Sequence, residues 1–219
     1  MHETVKKLKH IEEIVNFKEK DLNLKKKPFI IAVSKTFKMD KIVPLIDEGH
    51  RDFGENKVQE AMDKWNEIKS QNEFIRLHLL GGLQTNKVKF AVKIFDFIHS
   101  VDSKKLAKKI REEEIKQNKK IKIFLQVNIG NENQKFGISR DDLDDLFLFC
   151  KEIDLDVVGL MCIPPVDLDP DPFFKELKNL NDKLNLTELS MGMSSDYKKA
   201  IENCSTYLRI GSDIFGKRD

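Results

Sequence analysis

The stretch Phe29-Ile-Ile-Ala-Val-Ser-Lys35 sets the pattern for the whole chain, because five apolar residues in succession end in a polar pair. An uninterrupted apolar run of this length is typical of a strand that is buried on both faces. Seven further short runs, apolar or β-branched, follow, separated by longer segments in which apolar residues recur at helical spacing. The eight predicted strands are residues 29–33, 51–53, 76–80, 97–101, 121–129, 156–161, 188–191 and 207–210.

Strands that alternate with helices predict parallel pairing through right-handed crossovers, and eight such strands close into a barrel. We therefore predict an α/β fold, a (β/α)8 TIM barrel that occupies residues 1–219 as a single domain. The spacing of Val5, Leu8, Ile11 and Val15 predicts an extra helix at the N-terminus. An open doubly wound sheet is the alternative. It is disfavoured because the dinucleotide motif G-x-G-x-x-G is absent and the informative polar residues do not gather at one switch point.

Composition narrows the range of partners and compartments. The 219 residues include 39 Lys and Arg against 37 Asp and Glu, and 40% are hydrophobic. This near balance predicts no large electrostatic field, so we expect neither nucleic acid nor a membrane as a partner. Cys150, Cys162 and Cys204 are far apart and cannot all pair, which indicates a reducing compartment. Neither a signal peptide nor a run of about 18 apolar residues occurs, so we expect a soluble, cytoplasmic protein.

Functional residues of a parallel barrel follow the carboxyl ends of its strands. Lys35 follows the first strand, where partial desolvation at the barrel mouth would favour a neutral amine able to form an imine with an aldehyde. A surface or salt-bridged lysine is the alternative for Lys35. The loops after strands seven and eight, 192–196 and 211–212, are rich in Gly and Ser. They predict a phosphate cradle, with ordinary turn chemistry as the alternative.

Three other features are given structural interpretations. The five histidines lack metal-ligand spacing, so no metal site is predicted, and His78 is interpreted as a core histidine. Trp65 is interpreted as helix packing. The spacing from Gly211 to Lys217 resembles a nucleotide-binding P-loop, but Arg218 stands where Ser or Thr would hold magnesium, so this function is excluded.

Helix starts and one long loop are also predicted. Ser103, Ser139 with Asp142 three residues on, and Asp196 each occupy a position suited to an N-cap. Four prolines between residues 164 and 172 predict a long connection between the sixth strand and its helix.

Seven ordered motifs resemble those of one known family. They are A-V-S-K-T at 32–36, F-G-E-N-K-V-Q-E at 53–60, H-L-L-G-G-L-Q-T-N-K at 78–87, K-F-G at 135–137, G-L-M-C-I-P-P at 159–165, M-G-M-S-S-D at 191–196 and R-I-G-S-D-I-F-G at 209–216. With these motifs the chain resembles, essentially end to end, the YggS/PROSC family of pyridoxal phosphate homeostasis proteins. The resemblance implies the barrel of the alanine racemase N-terminal domain and pyridoxal 5'-phosphate (PLP) as cofactor.

The resemblance also implies roles for single residues. Lys35 matches the lysine that carries PLP as a Schiff base, and Ser194 matches the phosphate cradle together with the backbone of Gly211 and Ser212. Lys35→Ala is expected to abolish the imine absorbance and to leave the fold intact.

Arg209 matches the residue placed near the pyridine nitrogen in racemase-like barrels, and Asn56 looks like a pocket residue near the cofactor ring. A guanidinium cannot give the pyridine nitrogen a proton, so the ring would be a weak electron sink. The pocket-facing loops carry Cys162, where the family more usually has alanine or threonine, and Ser195, where it often has an acidic residue; these departures affect only the fine tuning of the pocket.

The resemblance favours a cofactor carrier that acts in PLP homeostasis, with no catalytic residue assigned. The barrel accounts for the whole sequence, and neither Tyr197 nor Tyr207 is placed as a second acid or base for proton exchange, although a His or Cys could serve instead. A PLP-dependent racemase or lyase of low activity is the alternative, and a barrel with an inert lysine that acts in protein interaction is a third reading. PLP-dependent apoenzymes are the expected protein partners, and we expect a monomer.

Overall fold

The computed structural model describes residues 1–132 and 136–216. Within them, the strands are β1 (Phe29–Val33), β2 (Asp52–Glu55), β3 (Arg76–Leu79), β4 (Phe97–Val101), β5 (Lys122–Gln126), β6 (Asp156–Met161), β7 (Glu188–Met193) and β8 (Tyr207–Ile210). The helices are α1 (Glu3–Asp21), α2 (Met39–Asp47), α3 (Val58–Gln71), α4 (Val88–Ile94), α5 (Lys104–Gln117), α6 (Arg140–Glu152), α7 (Asp171–Lys183), α8 (Tyr197–Glu202) and α9 (Ser212–Phe215). Thr85–Lys87 forms a 3₁₀ turn.

The eight strands form a closed barrel in which each strand pairs in parallel with its neighbours in the sequence. The first and last strands close the ring, with Ile31 of β1 opposite Arg209 of β8. On its other side β1 pairs with β2, where Ala32 lies opposite Phe53. The predicted parallel barrel is confirmed, and the open-sheet alternative is wrong.

Strand β1 shows why a strand of this barrel can be apolar throughout. Ile31 and Val33 point into the barrel and pack in a cluster with Phe97 and Phe124. Ile30 belongs to the larger core between the barrel and its helices. Because successive side chains point to opposite faces and both faces are buried, every position of the strand is apolar.

The predicted N-terminal helix is present as α1. Its residues Val5, Leu8, Ile11 and Val15 are buried. The helix contacts α2, α8 and α9, which flank the junction of β8 with β1 on the outside of the barrel. Burial of this apolar stripe explains the helical spacing seen in the sequence.

Two of the predicted helix caps are confirmed, and one is wrong. Ser103 Oγ accepts the backbone N–H of Leu106 at 3.4 Å, and Ser139 Oγ accepts that of Asp142 at 3.1 Å. Asp196 precedes α8 but makes no side-chain cap bond with it. Its Oδ1 instead accepts the backbone N–H of Met193 at 2.6 Å, because the carboxylate closes the turn that leads into the helix.

Four predicted strand boundaries are wrong. Strand β2 is Asp52–Glu55 rather than 51–53, β3 is Arg76–Leu79 rather than 76–80, β5 is Lys122–Gln126 rather than 121–129, and β7 is Glu188–Met193 rather than 188–191. Glycines at the ends of β2 and β7 caused two of these errors. A Cβ at Gly54 would lie 2.6 Å from Leu80 Cδ1, and one at Gly192 would lie 2.5 Å from Ala200 Cβ. Crowding requires glycine at both positions, and Gly192 also has a positive φ of +91°.

The proline-rich connection is confirmed as residues 162–170, with Pro172 inside the first turn of α7. Lys135 of the K-F-G motif and Lys217 of the rejected P-loop spacing lie outside the described residues. Across 1–132 and 136–216, no helix combines the length and the apolar character needed to cross a membrane.

Candidate functional site

A cavity of about 520 Å³ opens at the carboxyl ends of the strands. All six residues that the sequence predicted for cofactor binding line it, namely Lys35, Asn56, Ser194, Arg209, Gly211 and Ser212. They follow or end β1, β2, β7 and β8, which are far apart in the sequence. The closed ring brings them together because β8 returns to pair with β1.

Lys35 is half-buried in this cavity, directly after β1. The segment that carries it is fixed on the side of the preceding residue. Ser34 is buried, and its hydroxyl donates to Glu55 Oε1 at 2.7 Å, while its backbone N–H donates to Gly54 O at 2.9 Å. Lys35 therefore starts from a backbone that β2 holds in place.

Glu55 is a fully buried carboxylate beneath this segment. Its Oε1 accepts hydrogen bonds from Lys64 Nζ and Trp65 Nε1, both at 3.0 Å, in addition to that from Ser34. Lys64 Nζ also donates to Ser34 O at 2.9 Å. We call Ser34, Glu55, Lys64 and Trp65 the Lys35 support. Trp65 is buried against Phe53, so its interpretation as helix packing is confirmed.

The residue after Lys35 is also fixed. Thr36 has a φ of +68°, which is unfavourable for a residue with a side chain, and its backbone N–H donates to Glu60 Oε1. Although burial opposes the effect, the bonds from Thr36 and Lys64 lower the pKa of Glu60. An ionised carboxylate thus holds the sharp turn that follows Lys35.

The two Gly- and Ser-rich loops meet at the cavity. Ser194 Oγ accepts the backbone N–H of Asp213 at 3.4 Å, which joins the loop after β7 to the short helix α9. Gly192 has a φ of +91°, and the chain needs this conformation to turn toward the cavity. A Cβ at Gly211 would meet no atom closer than 3.5 Å, so packing within the protein does not require glycine there.

Arg209 lies at the base of the cavity and is 5% exposed. Its Nη1 donates to Ser190 Oγ at 2.7 Å and its Nη2 to Cys162 O at 2.8 Å. Burial lowers the pKa of Arg209, but a guanidinium begins from a value so high that it stays cationic at neutral pH. The two acceptors fix the plane of this cation.

Asn56 lines the cavity at the end of β2 and is held from behind by the next loop. A Cβ at Gly81 would lie 2.2 Å from Asn56 O. The first glycine of the G-G pair therefore allows the loop after β3 to approach the backbone of Asn56.

Lys35 and Arg209 are the only Lys, Arg, His, Asp, Glu, Cys or Tyr residues among the described residues that line the cavity. Tyr197 lines a neighbouring cavity, and Tyr207 lies inside the barrel, stacked on Phe29 at 5.2 Å. Cys162 is fully buried, and burial raises the pKa of its thiol to about 12. Its side chain does not line the cavity, although the sequence placed it on a pocket-facing loop.

Sequence reasoning missed the Lys35 support and most polar groups inside the barrel. His78 was predicted as a core histidine, and this is confirmed, because it is fully buried and lies 3.0 Å from both Asp52 and His99. His99 and Ser190 are also fully buried. The available signal was the presence of polar residues inside apolar strand runs.

Comparisons with known proteins agree with this geometry. Residues 8–219 match the family model described as alanine racemase, N-terminal domain. A pyridoxal phosphate homeostasis protein of Aquifex aeolicus is 37% identical over 199 residues, which cover 86% of this chain and 86% of the relative. The chain belongs to the family of pyridoxal phosphate homeostasis proteins. A second pyridoxal phosphate homeostasis protein, from Escherichia coli strain K12, is 34% identical over 200 residues and covers 87% of this chain and 86% of its own length.

The backbone of this chain also resembles those of solved structures. PipY of Synechococcus elongatus PCC7942 with PLP bound is 34% identical and has a TM-score of 0.81, over 93% of this chain and 100% of that chain. The form without PLP has a TM-score of 0.83 at 33% identity, over 92% and 100%. Alanine racemase of Clostridium difficile, 13% identical, shares the fold with a TM-score of 0.76, over 99% of this chain and 57% of that chain.

Proposed function

We propose that this chain binds PLP at the barrel mouth, as a Schiff base on Lys35, and acts in PLP homeostasis as a carrier of the cofactor. The observation that carries the proposal is the gathering of Lys35, Arg209 and the two Gly- and Ser-rich loops around one cavity. Relatives named for PLP homeostasis and the PLP-bound PipY structure support it.

The cavity fits PLP in size and charge. Its volume of about 520 Å³ falls within the range of small-molecule sites. Lys35 and Arg209 line it, and no Asp or Glu of the described chain does, which suits an anionic phosphate ester. Gly211 leaves its backbone open to close approach, although the fold tolerates a Cβ there.

Each lining residue has a separate role in the proposal. Lys35 would hold PLP through an imine between its amine and the aldehyde, formed with loss of water. Ser194, with the backbone of Gly211 and Ser212, would hold the phosphate, and Asn56 would lie near the ring. The Lys35 support fixes Ser34, the residue from which Lys35 extends toward the cavity.

Arg209 favours storage over catalysis. When bound, PLP supplies an electron sink for carbanion chemistry, and this sink is strong only if the pyridine nitrogen is protonated. A guanidinium donates hydrogen bonds and cannot give up a proton at neutral pH. Arg209 would therefore leave the ring nitrogen unprotonated.

The set of groups at the cavity points the same way. Two-base proton exchange needs a second acid or base opposite the lysine. Lys35 and Arg209 are the only Lys, Arg, His, Asp, Glu, Cys or Tyr residues among the described residues that line the cavity. A racemase or lyase of low activity is the alternative, and α-proton exchange of an amino acid in deuterated water would support it.

The proposal extends to the partners, the assembly and the compartment of the protein. A carrier delivers PLP to PLP-dependent apoenzymes, which we propose as its protein partners. One chain supplies every predicted binding residue, which supports a monomer. Cys150 and Cys162 are buried free thiols, and this state fits the reducing cytoplasm.

The decisive experiment is an absorbance spectrum of the purified protein, before and after borohydride reduction, followed by peptide mass mapping. We expect a band at about 420 nm, and reduction should fix a pyridoxyl group on Lys35. Lys35→Ala should lose the band and keep the fold, while Lys38→Ala, an exposed lysine three residues on, should keep both. No band after incubation with PLP would refute the proposal and favour the barrel with an inert lysine.

A further inference from the structure

A continuous line of hydrogen bonds crosses the inside of the barrel from the mouth to the opposite end. Arg209 Nη1 donates to Ser190 Oγ at 2.7 Å, and Ser190 Oγ lies 2.8 Å from His99 Nδ1. His99 Nε2 lies 3.0 Å from His78 Nδ1, and His78 Nε2 lies 3.0 Å from Asp52 Oδ1. We call these five side chains the interior chain.

The interior chain is buried and anchored at its far end. Ser190, His99 and His78 are fully buried, and Asp52 is 5% exposed. Arg76, which reaches solvent, donates to both carboxylate oxygens of Asp52, at 2.7 and 2.5 Å. Polar groups in such a place destabilise the fold unless every one is paired, so the line forms a single connected unit.

Aromatic rings hold the two imidazoles in this line. His78 stacks on Phe97 and His99 stacks on Phe124, each with a centroid distance of 4.3 Å. The imidazoles therefore cannot rotate freely to find other partners. Burial lowers the pKa of both histidines, which keeps them neutral at neutral pH.

The two ends of the interior chain impose one direction on its hydrogen bonds. Arg209 can only donate, and an ionised Asp52 can only accept. Burial opposes ionisation of Asp52, but its bonds with His78 and Arg76 lower its pKa. His78 must then carry its proton on Nε2, which leaves Nδ1 to accept from His99 Nε2. His99 Nδ1 in turn accepts from the hydroxyl of Ser190, whose lone pairs remain for Arg209.

We propose that Asp52, at the closed end of the barrel, is a positioning residue for Arg209 at the mouth, and that it acts through His78, His99 and Ser190. The carboxylate selects the Nε2–H tautomer of each histidine, and this selection orients the Ser190 hydroxyl that holds the guanidinium. The consequence for the cofactor rests on the proposed function, in which Arg209 faces the pyridine nitrogen.

The first test needs no cofactor. Nitrogen-15 spectra of the ligand-free protein should show Nε2 protonated and Nδ1 unprotonated for both His78 and His99. The Nη signals of Arg209, assigned by comparison with Arg209→Lys, should be separate, because fixed acceptors slow rotation of the guanidinium. A proton on Nδ1 of either histidine would overturn the proposed direction of the hydrogen bonds in the interior chain.

The second test removes the charge of Asp52. In Asp52→Asn the single tautomer of the two histidines and the separate Nη signals of Arg209 should both be lost. Asp96→Asn is the matched control, because Asp96 also sits at this end of the barrel but pairs with Lys69 and the backbone of Leu77. Separate Nη signals and unchanged tautomers in folded Asp52→Asn would overturn the proposal.

The third test reads the effect at the site. Asp52→Asn should shift the absorbance of bound PLP and weaken its affinity about tenfold, equivalent to about 1.4 kcal/mol, while the affinity for inorganic phosphate stays unchanged. An unaltered spectrum and affinity would overturn the link between Asp52 and the cofactor. If the wild-type protein took up no PLP, the proposed function would fail, whereas the nitrogen-15 spectra would still decide the role of Asp52. Ser190→Ala, which interrupts the interior chain beside Arg209, should reproduce the loss of PLP affinity if Asp52→Asn does not fold.

Discussion

Removal of the Lys64 charge is expected to destabilise the protein through the buried carboxylate of Glu55. The side chain of Lys64 is 11% exposed and that of Glu55 is 0% exposed, and Lys64 Nζ lies 3.0 Å from Glu55 Oε1. Glu55 Oε2 has no hydrogen-bond partner in the described structure. In Lys64→Met the apolar stem is kept, but a buried negative charge loses its cation. Breaking a buried pair in this way costs about 3 to 5 kcal/mol.

The assay is urea unfolding of Lys64→Met, Glu55→Gln and the double variant. The double variant should recover a large part of the loss, because the neutral amide needs no cation, and the coupling energy from this cycle should exceed about 1 kcal/mol. Lys7→Met is the control, since Lys7 forms an exposed helix pair with Glu3 and should change stability by less than about 0.5 kcal/mol. A loss below about 1 kcal/mol in Lys64→Met would refute the reasoning.

Two further predictions concern the cradle and acid stability. Ser194→Ala should weaken PLP retention by about 1.5 to 3 kcal/mol, because one charge-assisted hydrogen bond is lost, yet keep the absorbance band at about 420 nm. An affinity titration measures this loss, and an equal loss in Ser195→Ala would show that the cradle lies elsewhere. His78 and His99 have lowered pKa values, so the unfolded chain binds protons first as pH falls below about 6.5. Stability should then fall by up to about 1.4 kcal/mol per pH unit for each histidine, and flat urea midpoints between about pH 6.5 and 5.5 would contradict this.

The barrel could be predicted from the sequence because strands that are buried on both faces, such as β1, read as apolar runs and alternate with helical segments. The boundaries failed where tertiary crowding set the residue. Gly54 and Gly192 resemble turn residues, yet each lies in a strand at a point where a neighbouring side chain occupies the place of a Cβ. One strand considered alone does not reveal that neighbour.

The mouth residues could be predicted for a related reason. Once eight strands close, the residues that follow each strand lie at one end of the barrel, so the sequence alone could place Lys35 and Ser194 together. The interior chain could not. Its histidines lie on neighbouring strands β3 and β4, and their contact depends on the register that sets His78 opposite Phe97. The failed cap at Asp196 is similar, because the carboxylate had a competing backbone partner in Met193.

Closure of the ring by β8 against β1 ties the ligand to the completion of folding. Lys35 emerges early during synthesis, whereas Arg209 and Gly211 belong to the last strand and its loop. A nascent chain that lacks β8 cannot present both halves of the pocket, so only the finished barrel would recognise PLP. A ligand that binds the native state alone adds stability in proportion to the logarithm of its concentration, about 2.7 kcal/mol at a hundredfold excess over Kd. The concentration of PLP would thereby influence what fraction of the protein is folded.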